Sequence, residues 1–268
     1  MISYAQNGED VVLARLFDAQ SAGVWIDVGA GHPVDDSVTN HLSQRGWWGV
    51  NIEPHPALHA LLVRERRRDL NLAVAASDGA GQAELHAATV PGRSTLRGDL
   101  LDGAVGPWEA VTVTTRTVAS IVDEHRLDAI DLLKVDAEGW EEQVLRGCDL
   151  ARIRPRVVVV EATEPGTARP SHDAWEPLLA EAGYRCALFD GLNRFYAAGD
   201  DTAALTALAA PASVLDEFEP WAWRRRVEEA AGWAHSLEGR VGELERQLQQ
   251  LQREVAVVAD EAEAILDP

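Results

Sequence analysis

Five short apolar runs, Val24-Trp-Ile-Asp-Val28, Gly49-Val-Asn-Ile-Glu53, Leu72-Ala-Val-Ala-Ala76, Ile130-Asp-Leu-Leu-Lys-Val135 and Val157-Val-Val-Val-Glu161, are separated by helix-like stretches. Continuous runs of this length read as strands covered on both faces. The segments between them supply crossovers: Pro54 and Pro56 mark a helix entrance into Pro56 to Arg67, and Glu138 to Arg146 reads as a second helix. Strand, helix, strand in succession specifies a parallel, doubly wound α/β sheet. Further along, Tyr184 to Phe189 and Asn193 to Ala197 flank Asp190-Gly191, which predicts an antiparallel hairpin at one sheet edge. Residues 80–117, with the turn-rich Pro91-Gly-Arg-Ser-Thr95 and the alternating Val111-Thr-Val-Thr114, read as an insertion before the fourth strand. Substrate specificity is commonly carried on such loops.

After Pro211 the pattern changes. Apolar residues fall on Trp223, Val227, Ala230, Ala234, Leu237, Val241, Leu244, Leu248, Leu251, Val255, Val258, Ala262 and Ile265, with steps alternating four and three. This is a heptad repeat, with Leu237, Leu244 and Leu251 at d and Val241, Leu248 and Val255 at a. The expected organisation is a globular domain over residues 1–218 and a coiled-coil helix over 219–268, which pairs two copies of the chain or docks it on a glycan-assembly partner. The alternative is an amphipathic helix folded back on its own domain.

Composition narrows the class. Lys and Arg number 24 against 44 Asp and Glu, a formal charge of −20, which disfavours nucleic acid and anionic membrane surfaces as partners. Two cysteines, Cys148 and Cys186, are too few for a disulfide framework and lack zinc-site spacing, so a reducing cytoplasm is the expected compartment. No basic n-region or apolar h-region opens the chain, and no apolar run reaches the roughly 18 residues of a membrane span. Lys134 is the only lysine in the sequence. A lone Lys in an Arg-rich chain points to a task that Arg cannot do, either as a compact cation or as a group that can lose its proton.

The first strand ends in Asp27-Val-Gly29-Ala-Gly31, and glycines at a strand end that open toward a helix mark a nucleotide site. A dinucleotide fingerprint would need a third glycine where Val34 stands, which demotes a nicotinamide cofactor. Asp-x-Gly-x-Gly instead suits S-adenosylmethionine, because the glycines let the backbone approach its methionine portion. Glu53, at the end of the second strand, is placed to accept from a ribose diol, and Ser77 and Asp78, at the end of the third, to meet an adenine amino group. Lys134, Asp136 and Glu138 follow the fourth strand and Glu161 ends the fifth, so three carboxylates are expected together where the acceptor lies. A hydroxyl acceptor needs a base or a Lewis acid. Asp136, with Glu138 and Lys134, is the expected catalytic set, and Asp136 with Glu161 the expected ligands if Mg²⁺ assists. Trp108 and Trp140 suit the apolar faces of sugars, and His32 follows the glycine loop. Hydrolase, zincin and P-loop motifs do not occur.

Five ordered blocks resemble the FkbM-type methyltransferases: Ser3-Tyr-Ala-Gln-Asn-Gly-Glu-Asp10, Asp27-Val-Gly-Ala-Gly-His-Pro33, Arg45-Gly-Trp-Trp-Gly-Val-Asn-Ile-Glu-Pro54, Leu133-Lys-Val-Asp-Ala-Glu-Gly139 and Phe189-Asp-Gly-Leu-Asn-Arg-Phe-Tyr196. The resemblance spans about residues 1–218. It implies a Rossmann-like class I methyltransferase fold, with a mostly parallel seven-stranded sheet and an antiparallel C-terminal hairpin. It also implies S-adenosylmethionine as methyl donor and a sugar hydroxyl of a glycan, glycolipid or glycosylated natural product as acceptor. By the same resemblance Asp27, Gly29, Gly31, Glu53 and Asp78 become donor contacts, the 133–139 block the catalytic edge, and Gln6, Asn7, Glu9 and Asp10 a cover on the pocket. Two other readings remain at this point: a coiled-coil scaffold whose domain binds the donor without turnover, and an NAD-dependent sugar oxidoreductase.

Overall fold

The computed structural model describes residues 1–89, 92–100 and 107–266. Pro91 of the predicted turn lies outside them, as do the side chains of Ala262 and Ile265 in the heptad. Residues up to Pro220 form one compact unit and those from Trp221 a second.

The strands are β1 (Ile2–Ser3), β2 (Val24–Val28), β3 (Trp48–Ile52), β4 (Leu70–Leu72), β5 (Ala75–Ala76), β6 (Gly81–Ala88), β7 (Trp108–Arg116), β8 (Leu132–Val135), β9 (Val157–Glu161), β10 (Tyr184–Phe189), β11 (Asn193–Ala198) and β12 (Glu219–Pro220). The helices are α1 (Glu9–Phe17), α2 (Asn40–Gln44), α3 (Pro56–Glu65), α4 (Val118–His125), α5 (Glu141–Arg146), α6 (Leu150–Ile153), α7 (Glu176–Glu181), α8 (Thr202–Ala207) and α9 (Trp221–Leu266). Seven strands form the main sheet in the order β10-β11-β9-β8-β2-β3-β4. Pairing is parallel from β4 through β9, and β11 runs antiparallel to both β9 and β10.

The two faces explain the continuous apolar runs. Ile26, Val28, Val50, Ile52, Leu133, Val135, Val158 and Val160 pack into one core, while Trp25, Leu132, Val157, Val159 and Phe195 pack into another on the opposite side. Each such side chain contributes about 1.5–3 kcal/mol when removed from water, so neither face of β2, β8 or β9 tolerates a charge without a partner. The helix entrance at Pro56 is as expected, with His55 Nδ1 accepting from the amides of Ala57 and Leu58. The second helix starts three residues later than the sequence suggests, at Glu141, because Glu138 and Gly139 both have positive φ.

The expected third strand is divided. Residues 70–72 stay in the main sheet as β4, whereas β5 joins a separate three-stranded sheet with β6 and β7, the hairpin of the insertion. The first unit is closed by a parallel pairing of β1 with β12, Ile2 opposite Glu219. In the second unit, α9 is a single 46-residue helix, and the described apolar residues of its heptad stripe from Leu237 to Val258 are exposed.

Candidate functional site

The strand order reverses between β2 and β8, and ligands of open α/β sheets bind outside the carboxyl ends at such a point. There a cleft of about 640 Å³, partly open to solvent, is lined by Gly29 and Gly31 after β2, Glu53 and Pro54 after β3, Ala75 and Ala76 of β5, and Asp136, Ala137, Glu138 and Trp140 after β8. Gly92, Ser94 and Leu96 of the insertion line it as well.

The glycine loop is fastened on both sides. Gly29 N donates to Ile52 O at 3.0 Å, and Asp136 N to Val28 O at 3.1 Å. Gly29 has φ +69°, and a Cβ there would stand 1.8 Å from the Asp136 carbonyl oxygen, so strand-to-strand closeness itself excludes a side chain. Gly31 has φ +62° and open space where a Cβ would project. Glu53 reaches under it: Oε2 accepts from Gly31 N and Oε1 from His55 N, both at 2.8 Å. Burial pushes the Glu53 carboxyl up to about 7, against the pull of those two amides.

Beneath the loop runs a buried polar chain across the sheet. Asp27 and Lys134 are register partners. The Lys134 ammonium donates to Gly29 O at 2.7 Å and lies 3.3 Å from Asp27 and 3.4 Å from Asp136. Asp27 also accepts from Thr39 Oγ1 at 2.9 Å, and Thr39 Oγ1 in turn accepts from Arg66, which is paired with Asp69 at 2.7 Å. Burial disfavours the Lys134 charge, but Asp136 and Asp27 outweigh it and hold its pKa above the ordinary lysine value. Of the two roles expected for the lone lysine, the compact cation fits and the deprotonatable group does not. Asp27 itself is not on the cleft wall but behind it.

On the other side of Lys134 lies an acidic cluster. Glu138 lines the cleft in a left-handed conformation, φ +50°, with its carbonyl accepting from Thr95 Oγ1 at 2.8 Å. Its carboxyl is pushed up to about 8 by burial and by the charges of Asp136 and Glu141. Glu161 is buried, Oε2 has no hydrogen-bond partner among the described residues, and burial with the neighbouring carboxylates raises its pKa well above the usual range. Glu141 was not singled out by the sequence, where it reads as an ordinary acid in a first helical turn. Its Oε1 accepts from both Ala137 N and Gly139 N at 3.0 Å, which fixes the loop carrying Asp136 and Glu138.

A resident Mg²⁺ on Asp136 and Glu161 does not fit this donor set. Asp136 already faces the Lys134 ammonium, which competes with a cation for its carboxylate, and among the described residues no group of three or more His, Cys, Asp or Glu is placed to hold a metal ion. The glycine cradle and the apolar wall of Val28, Ile52, Leu58 and Leu85 do fit an adenosyl group with an amino-acid tail.

Other expected residues stand nearby without lining the cleft. Ser77 is buried, accepting from Trp140 Nε1 and donating to Asp78, which is exposed. His32 Nδ1 accepts from the amides of Val34 and Asp35 and so closes the turn after the glycines. Trp108 opens β7. Gln6, Asn7, Glu9 and Asp10 do not cover the cleft. Glu9 accepts from Asn7 N and from Asn193 Nδ2 at 2.6 Å, which ties the N-terminus to the hairpin, while Asp10 accepts from Ser3 Oγ and Tyr4 N and folds the N-terminus back on α1.

A family model described as the methyltransferase FkbM domain matches residues 27–186. Solved structures similar to the chain include a TehB-like SAM-dependent methyltransferase from Corynebacterium glutamicum, 11% identical, covering 72% of this chain and 88% of that one at a TM-score of 0.40. Another is CalO1, a methyltransferase in calicheamicin biosynthesis in its SAH-bound form, 17% identical at a TM-score of 0.33. That match covers 71% of this chain and 53% of CalO1. No curated protein matches.

Proposed function

The chain belongs to the FkbM methyltransferase family, and from that premise we propose that it transfers a methyl group from S-adenosylmethionine to a sugar hydroxyl of a glycan, glycolipid or glycosylated natural product. The observation that carries this reading is that one cleft receives both the glycine loop with Glu53 and the acidic residues Asp136 and Glu138. S-adenosylmethionine, when bound, supplies an electrophilic methyl on a sulfonium. Gly29 and Gly31 admit the donor's amino-acid portion, and Glu53 presents a carboxylate to its ribose. The insertion, through Ser94 and Leu96, shapes the acceptor side.

Glu138 is the better base than Asp136. A general base works best with a pKa near the operating pH, and the Glu138 carboxyl, pushed up to about 8, takes the acceptor proton as its oxygen bonds to the methyl. Asp136, held by Lys134, orients the hydroxyl and by its charge keeps Glu138 basic. The nicotinamide reading is dropped with the family assignment. The chain organisation proposed is a catalytic domain over 1–218 and a helix over 219–268, in the cytoplasm, where Cys148 and exposed Cys186 remain thiols. Among the described residues no helix is long and apolar enough to cross a membrane.

The test is calorimetric titration with S-adenosylhomocysteine, followed by incubation of the donor with neutral glycans and mass spectrometry of the products. Micromolar binding that Glu53→Ala weakens by about 1–3 kcal/mol, together with a methylated glycan, is expected. Absence of binding removes the donor assignment, and binding without any methylated glycan removes the acceptor class.

A further inference from the structure

We infer that α9 is one strand of a parallel two-stranded coiled coil whose other strand is a second copy of this chain. Its stripe of apolar side chains stands in solvent, with Leu237 62%, Leu244 57% and Leu251 58% exposed. Between Leu237 and Val255 every position off the stripe is Glu, Arg, Gln or Gly. A spacing of 3.5 residues held this long turns the stripe into a left-handed seam that one straight helical neighbour cannot follow, whereas an equivalent helix can.

The glycines give a second argument. Gly232, Gly239 and Gly242 lie inside α9, each with open space where a Cβ would project. Counted against the heptad they occupy f, f and b positions, on the face away from the seam. Glycine weakens a helix relative to alanine, and long helices in proteins hold mainly by packing an apolar face. A helix with three such positions therefore depends on a partner for its seam.

Side-chain choice selects the partner and the direction. Val at two of three central a positions with Leu at all three central d positions favours two parallel strands; Leu248 is the departure. In parallel register Arg240 at g meets Glu245 at e of the second copy, Gln247 meets Gln252, and Glu254 meets Ala259. One pair attracts and none sets like charges together, so the chain complements itself.

The test uses the full chain carrying Cys186→Ser, which removes the exposed thiol and leaves Cys148 buried. Light scattering should give the mass of two chains, and Leu244→Asp with Leu251→Asp should return it to that of one. Single variants Leu237→Cys and Leu251→Cys should each form a disulfide with their own equivalent on oxidation, since d residues meet across a parallel axis. A one-chain mass, a mass above two chains, or a mass unmoved by the Asp pair overturns the inference. So does cross-linking of Leu237→Cys only with Leu251→Cys in a mixture, which marks antiparallel strands.

Discussion

The Lys134 ammonium donates to the main-chain oxygen of Gly29 at 2.7 Å, so the single lysine of the chain is a strut between β8 and the glycine loop. It is also paired with both Asp27 and Asp136. Removing it leaves Asp27 buried with no direct ion pair among the described residues.

Lys134→Met should therefore lower stability by about 3–5 kcal/mol, the usual result of breaking a buried pair from one side. Urea unfolding measures this directly. A loss under 1 kcal/mol would show that Thr39 alone suffices for Asp27 and that the strut is dispensable.

The two loop glycines should respond differently. Gly29→Ala drives a methyl into the Asp136 carbonyl and is expected to cost roughly 3 kcal/mol or more of stability. Gly31→Ala meets nothing and should cost only about 1 kcal/mol of backbone strain, while weakening S-adenosylhomocysteine in titration. Equal stabilities for the two variants would contradict the geometry of the loop.

Stability should fall as pH rises through neutrality. Glu9, Glu53 and Glu141 have folded pKa values of about 7 against 4.5 ordinarily, each raised first by burial. Between these limits the folded state holds more protons than the unfolded chain, so the stabilisation is complete below about 4.5 and lost above about 7. The ceiling is about 3 kcal/mol per group. Denaturation midpoints at pH 5.5 and 8.5, with Glu9→Gln as a control that removes one titration, check the sign; a higher midpoint at pH 8.5 would refute it.

If Glu138 is the base, kcat/KM should climb with pH and level off above about 8. Glu138→Gln should lower kcat by 10²–10⁴-fold and flatten the profile, leaving S-adenosylhomocysteine affinity within a few-fold. A profile unchanged in shape would move the base to another group.

Much of this site was readable in advance because its parts are local. Asp27 to Gly31 is a turn whose glycines declare themselves, and Val157 to Glu161 is an apolar run that only a two-faced strand explains. What could not be read depends on partners distant along the chain. Leu72 to Ala76 is equally apolar whether it stays one strand or divides, and the choice is made by β7, which recruits Ala75 and Ala76 forty residues later in sequence. Glu141 looks like any helix-opening acid until Ala137 and Gly139 turn their amides toward it. Resemblance places the acids at positions 9 and 10 over the pocket because nothing nearby announces Asn193 or the folded-back Ser3.

The hydrogen bond from Thr95 to the Glu138 carbonyl ties the insertion to the residue proposed as the base. On the proposed function, the acceptor side of the cleft and the loop that carries the base are therefore one mechanical piece: replacing this hairpin in a graft that loses Thr95 also releases the main chain of Glu138.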